Sequence, residues 1–247
     1  MEQRPVCLSI GGSDSCGGAG IQADLRVFSE LGVTGCSAIT ALTAQNPNQI
    51  TRIEPVSLAQ LDAELHTVFD YYDVAAVKTG MLLDAEHIAV VAAALQQRHK
   101  QATLIIDPVM LASSGRRLLD APAVETLVKA LLPMATLLTP NLDEAAVLLG
   151  RPVADARADC RELAETYACS VLLKGGHGAG EMLLDILCES DGRLISIEHP
   201  RLDWDASKAH GSGCRLAAAI AAILAQNKAP DGLADAVRQA VGICSQS

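Results

Sequence analysis

Apolar and polar positions along the chain follow two periods. Short runs that are apolar almost throughout predict buried β-strands: "VCLSI" (6–10), "AAVKTGM" (75–81), "TLIIDPVM" (103–110), "TLLTPN" (136–141), "SVLLKGG" (170–176) and "LLDIL" (183–187). Between many of them the spacing becomes helical. Leu58, Leu61, Leu65, Val68, Phe69 and Tyr72 share one face, as do Leu127 and Leu131 with their neighbours, and the alanine-rich run that begins at Leu216 predicts a further helix. Strand and helix in alternation, with strands apolar on both faces, predict an α/β fold with a mostly parallel sheet covered on both sides. Ligands of such sheets collect beyond the carboxyl ends of the strands. The polar residues just after each strand are therefore the candidates for chemistry: "GGSDSCGGAG", "KTGM", "DPVM", "TPNLDE", "KGGHG" and "HGSGC".

Composition narrows the picture. The 247 residues show no linker or internal repeat and predict a single domain over 1–247. Half the residues are hydrophobic, yet only one Trp, three Tyr and two Phe are present, so the core must be built from Ala, Val, Ile and Leu. The net charge of -10 argues against nucleic acid and anionic membrane as partners, so any phosphate site must be local. The start "MEQRPVCLSI" does not read as a signal peptide, and the apolar run from Leu216 to Ala225 is too short to span a bilayer; a cytoplasmic location is expected. Eight cysteines without a C-x-x-C pair exclude a zinc ribbon or thioredoxin-like motif and predict reduced, mostly buried thiols.

Two phosphate-loop motifs fail on inspection. Gly18-Ala19-Gly20-Ile21-Gln22-Ala23 matches the G-x-G-x-x-A dinucleotide fingerprint formally, but it lies well beyond Ile10, and after Asp24 and Glu30 no acid follows until Glu54. In "GGHGAGEM" Gly175 and Gly180 have Walker A spacing, but Glu181 stands where the lysine is required. Lys174, just before those glycines, is either a cation for polyphosphate or a surface lysine after a strand. In "HGSGC" a Gly-Ser-Gly turn feeds a helix start, where exposed N–H groups and the helix dipole favour an anion. Cys214 there is expected to have a lowered pKa. A flexible turn over a packed cysteine is the competing reading, and this stretch alone does not decide between them. Asn141 and Glu144 can form a helix cap, Asp107 ends a strand before a proline, and carboxylates beside a polyphosphate site imply Mg²⁺.

In their order, "GGSDSCGGAGIQADL", "ITALTAQN", "AVKTGM", "IIDPVM", "LTPNLDEA", "VLLKGGH" and "HGSGC" resemble the hydroxymethylpyrimidine and phosphomethylpyrimidine kinases of thiamine biosynthesis, in the ribokinase-like superfamily. The resemblance implies a three-layer α/β/α sandwich, ATP with Mg²⁺, and a homodimer. It also implies two phosphorylations at one site, first of 4-amino-5-hydroxymethyl-2-methylpyrimidine and then of its monophosphate. Carried over by residue, it assigns Gly12, Asp24, Gln45, Met81 and Val109 to the pyrimidine pocket. Asp107 and Glu144 go to the metal, Asn141, Lys174 and Gly213 to ATP and its phosphates, and Lys174 with Gly211, Ser212, Gly213 and Cys214 to catalysis. An amide such as Gln45 offers a donor and an acceptor to the aminopyrimidine edge. Three features depart from the family's usual pattern: Ser212 for a threonine with Arg215 after the cysteine, "DWDASKA" before the loop, and an end at "GICSQS" short of the common tail. Arg215 at a helix start opposes the dipole unless a phosphate or an acid compensates. A pyridoxal kinase of the same branch and a pyrimidine-binding protein without transfer chemistry remain as alternatives.

Overall fold

The strands alternate between two hydrophobic cores. Leu8, Ile10, Val77, Leu104, Ile106, Leu138, Val171, Leu173 and Ile186 face one core, while their neighbours Cys7, Ala76, Ile105, Leu137, Leu172 and Leu187 face the other. A two-residue period with both faces apolar is what a sheet sandwiched between helices requires. In the computed structural model, which describes residues 4–98, 102–112, 115–175, 182–201, 210–226 and 232–245, that sheet has nine strands. They are β1 (Val6–Asp14), β2 (Thr34–Asn46), β3 (Gln49–Pro55), β4 (Val74–Thr79), β5 (Thr103–Ile106), β6 (Leu137–Leu138), β7 (Ser170–Leu173), β8 (Met182–Cys188) and β9 (Leu194–Pro200). Their order is β3-β2-β1-β4-β5-β6-β7-β8-β9. The six strands from β2 to β7 run parallel, and β3, β8 and β9 add antiparallel edges.

Helices α2 (Leu58–Tyr71), α3 (Ala85–Arg98), α4 (Ala121–Thr126), α5 (Leu142–Leu149) and α6 (Ala156–Tyr167) supply one core. The other is supplied by α1 (Gly20–Glu30), α7 (Ser212–Gln226) and α8 (Leu233–Cys244). The result is the three-layer α/β/α sandwich with a mostly parallel sheet. Along α7 every residue from Leu216 to Ile223 is buried, and its alanines let α1 and α8 approach closely.

Several local details differ from the sequence pattern. Strand β1 continues past Ile10 to Asp14, through two glycines and polar residues that apolar patterning excludes. Strand β6 is only Leu137–Leu138, because Pro140 follows almost at once. Leu127 and Leu131 are buried as expected, but in a single wide turn after α4 rather than in an α-helix; Pro133 lacks the N–H that an α-helical ladder would need next. No helix among the described residues is long and apolar enough to cross a membrane.

Candidate active site

From β1 the chain builds β2 on one side of the sheet and β4 on the other, so the strand order reverses beside β1. The crevice at that switch point is where an open α/β sheet binds ligands. A cavity of about 790 Å³ opens there. Gly12, Asp24, Gln45, Met81, Asp107, Val109, Asn141, Glu144, Lys174 and the run Gly211–Cys214 all line it. Eight elements spread along the chain thus bring every candidate residue to one place. Its size lies in the upper half of the range for ligand pockets, roughly 300–1,000 Å³, enough for more than one small substrate.

Glycines let the walls of the cavity come close together. A Cβ on Gly12 would lie 2.7 Å from the Met81 terminal methyl, so glycine at 12 gives Met81 room to lie across the end of β1. Gly20 has φ +59, and a Cβ there would lie 2.3 Å from the Gly12 carbonyl oxygen, so the start of α1 can meet β1 only as glycine. Asp24 is buried in the cavity wall with both oxygens engaged. Lys78 Nζ donates to Oδ1 at 3.0 Å and to Oδ2 at 2.8 Å, and Ser9 Oγ donates to Oδ2 at 2.5 Å. Asp24 lines the cavity, but as the partner of a buried lysine rather than as an unengaged carboxylate. Burial alone would lower the Lys78 ammonium, yet Asp24, with Asp107 adding to it, holds it above its ordinary value.

A second charged cluster lines the same cavity. Asn141 and Glu144 form a reciprocal cap of α5: the Glu144 N–H donates to Asn141 Oδ1 at 2.8 Å and the Asn141 N–H donates to Glu144 Oε2 at 2.9 Å. The capping reading and the cavity reading therefore hold together, since the cap fixes Glu144 in the cavity wall. Burial pushes its carboxyl up to about 7, with Asp107 adding to the rise and Lys174 opposing it. Lys174 is no surface lysine: its side chain is largely buried and donates to Asp107 Oδ1 at 3.0 Å. Burial alone would lower that ammonium, but Asp107 and Glu144 hold it above its usual value. Two buried carboxylates thus share one lysine, and their hard oxygen donors suit Mg²⁺, which would offset both the burial of Glu144 and the repulsion that Asp107 adds.

The start of α7 closes the cavity. Gly211 has φ +82, and a Cβ there would lie 2.1 Å from the Gly18 carbonyl oxygen, so only glycine allows the two loops to meet. A Cβ on Gly213 would lie 3.3 Å from Lys174 Nζ, which places the lysine against the helix start. Cys214 departs from expectation. Its thiol is raised to about 11, chiefly by burial, with Lys78 pulling it down, Asp107 and Asp24 pushing it up, and the Gly20 N–H lowering it. Desolvation and two nearby carboxylates outweigh the helix start, so the resting thiol is neutral. Arg215 does not line the cavity. Its charge acts instead on the Cys244 thiol near the C-terminal end of α8, an end that favours a cation.

Lys78, Asp14 and His210 also line the cavity and were not singled out from the sequence. His210 Nε2 lies 2.9 Å from Asp14 Oδ2 and 3.1 Å from Gln45 Nε2. Lys78 had a signal: a lone lysine inside the buried run "VAAVKT" must find a buried acid, and Asp24 falls on the apolar face of α1 with Ile21, Val27 and Phe28. Asp185 and His199, 3.2 Å apart on β8 and β9, add a polar pair to the wall. Most of "GGHGAGEM" and all of "DWDASKA" lie outside the described residues.

A family model described as phosphomethylpyrimidine kinase matches residues 14–247. A hydroxymethylpyrimidine/phosphomethylpyrimidine kinase of Rhizobium meliloti is 47% identical over 225 residues, covering 90% of this chain and 83% of that protein. The crystal structure of a phosphomethylpyrimidine kinase from Clostridium difficile superposes with a TM-score of 0.82 at 34% identity, covering 98% of this chain and 99% of the other. A pyridoxal kinase from Staphylococcus aureus, solved with pyridoxal, gives a TM-score of 0.85 at 28% identity, covering 98% of this chain and 87% of the other. The extent of these matches, together with a cavity lined by a buried acid–lysine cluster at the switch point of the sheet, places the chain in the phosphomethylpyrimidine kinase family, as a phosphotransferase.

Proposed function

We propose that the chain transfers the γ-phosphoryl group of ATP to the hydroxymethyl group of 4-amino-5-hydroxymethyl-2-methylpyrimidine, and then that of a second ATP to the resulting monophosphate. The observation that carries this reading is one cavity in which an amide and apolar side chains, Gln45, Met81 and Val109, share the wall with Asp107, Glu144, Lys174 and the start of α7. In the first step the hydroxymethyl oxygen attacks the γ-phosphorus, the bond to the ADP oxygen breaks, and the hydroxyl proton leaves. Little covalent chemistry is asked of the protein in such a transfer, which depends on positioning and on stabilising the charge of the transferring group. Lys174 and the N–H groups at the start of α7 supply that charge, with Gly213 leaving the lysine room. Cys214 enters as part of this anion hole with a neutral thiol, not as a resting thiolate. In the second step the attacking oxygen belongs to a phosphate, so no hydroxyl proton has to be removed.

Mg²⁺ bound with ATP would be held by Asp107 and Glu144 and would neutralise phosphate charge. A homodimer stays an expectation from the resemblance, and a cytoplasmic location one from the sequence itself. A pyridoxal kinase is the second reading, favoured by the likeness to the solved pyridoxal complex. The motive that Arg215 gave for a non-catalytic binding protein loses its force, since that residue does not line the cavity. Initial rates of ADP release from Mg-ATP with the pyrimidine, with its monophosphate and with pyridoxal test the proposal. Turnover of both pyrimidines at higher kcat/KM than pyridoxal is expected; turnover of pyridoxal alone would overturn it.

A further inference from the structure

We propose that Asp14, Cys16 and His210 form a binding site for one divalent ion of the Zn²⁺ class at the rim of the cavity. Asp14 Oδ2 lies 2.9 Å from His210 Nε2 and 3.4 Å from Cys16 Sγ, and the three ligand atoms all lie within 4.8 Å of one another. Tetrahedral zinc, with bonds of about 2.0 to 2.3 Å, sets its ligand atoms roughly 3.3 to 3.8 Å apart. The Asp14–Cys16 edge already has that length, and the Asp14–His210 edge must open by about half an ångström.

The three ligands are held in place by packing that does not depend on an ion. Cys16 is turned back onto Asp14 by its own N–H, which donates to Asp14 Oδ1 at 3.0 Å, and by the Gly17 N–H, which donates to the Asp14 carbonyl at 3.0 Å. His210 lies against Gly18, where a Cβ would come within 2.5 Å of its Cδ2. A thiolate and an imidazole beside one carboxylate select a borderline-soft ion over Mg²⁺ or Ca²⁺, which prefer oxygen donors throughout. This centre is therefore distinct in chemistry from the Asp107–Glu144 pair. Three protein ligands leave a fourth position for water. Binding releases the Cys16 thiol proton to solvent and commits the Nε2 lone pair of His210 to the metal. Gln45 Nε2, 3.1 Å from that nitrogen, then loses its neighbour. If Gln45 reads the pyrimidine, as the proposed function has it, the ion raises the KM for that substrate; the binding itself does not rest on that reading.

Co²⁺ titrated into the full chain at neutral pH, with millimolar Mg²⁺ present, tests the site. The expected result is a near-ultraviolet thiolate-to-cobalt charge-transfer band that saturates at one ion per chain, is bleached by Zn²⁺ and is unchanged by further Mg²⁺. Cys16→Ser, at an exposed position, should lose the band while keeping the circular dichroism spectrum, and Cys214→Ser should retain it. His210→Ala should weaken Co²⁺ binding at least about tenfold. No band up to millimolar Co²⁺, or a band that survives Cys16→Ser, would overturn the site. In kinetics, Zn²⁺ should raise the pyrimidine KM of the unmodified chain and leave that of Cys16→Ser unchanged. A cobalt band in a chain that turns over no substrate would sink the kinase reading and leave the metal site standing.

Discussion

Replacing Lys78 with methionine isolates the buried pair beneath the cavity. Lys78 and Asp24 are each 1% exposed, and the ammonium meets both carboxylate oxygens at 2.8 and 3.0 Å. Methionine keeps most of the lysine stem but leaves Asp24 as a buried carboxylate with Ser9 as its one side-chain donor among the described residues. Breaking such a pair from one side costs about 3–5 kcal/mol, a large share of a domain stability of roughly 5–15 kcal/mol. For a chain of this length each kcal/mol moves Tm by about 2–4 °C, so Lys78→Met should melt on the order of 10 °C lower. Adding Asp24→Leu removes the stranded charge and should restore most of the loss, because an apolar pair of similar volume is often as stable as a buried ion pair. Thermal and urea unfolding of the two single variants and the double variant measure the coupling. A single-variant loss below about 1 kcal/mol, or losses that simply add, would refute the assignment of a desolvated, mutually dependent pair.

Further consequences concern catalysis and pH. Cys214→Ala should lower kcat much more than it weakens pyrimidine binding, while Cys7→Ala, at a thiol packed under α7, should change neither much; equal and small effects would return Cys214 to packing. Asp107→Asn removes one acid of the pair beside Lys174 and should raise the Mg²⁺ concentration needed for half-maximal rate, which a Mg²⁺ titration at fixed ATP reads directly. His199 is raised by its hydrogen bond to Asp185. A raised histidine contributes stability that is fully present below its unfolded pKa, about 6.5, and is lost as pH rises through its folded value. Urea midpoints of the unmodified chain should therefore fall between pH 6 and 8 more steeply than those of His199→Gln, and parallel profiles would count against the pair.

Much of the fold was legible because both cores sit on the sheet. Strands buried on two faces are mostly apolar, so β4, β5 and β7 stand out in the sequence, and β8 stands out by its apolar side chains although its first half is exposed or half-buried. Strands β2, β3 and β9 do not. They are half-buried or exposed at many positions, as in "TRIEP" and "LISIEHP", and only pairing with a neighbour makes them strands. Most of the candidate residues come together because they lie in the last turns of a strand or just beyond its carboxyl end, which is a local property; Asp24, inside α1, does not. The states of the groups are not local. Helix-start chemistry predicts a lowered Cys214 thiol, whereas burial and the carboxylates of Asp24 and Asp107, both distant in sequence, raise it to about 11. Lys78 was hidden for a related reason. Its presence in a buried strand makes sense only once α1 sets Asp24 opposite it.

The central claim is that one cavity carries out two successive transfers. Phosphorus-31 spectra of a reaction started with 4-amino-5-hydroxymethyl-2-methylpyrimidine and excess Mg-ATP test it most directly. The account predicts that the monophosphate accumulates first and the pyrophosphate then replaces it, with two ADP formed for each pyrimidine consumed. A reaction that stops at the monophosphate with one ADP, or a pyrimidine that binds with no ADP formed, would contradict it.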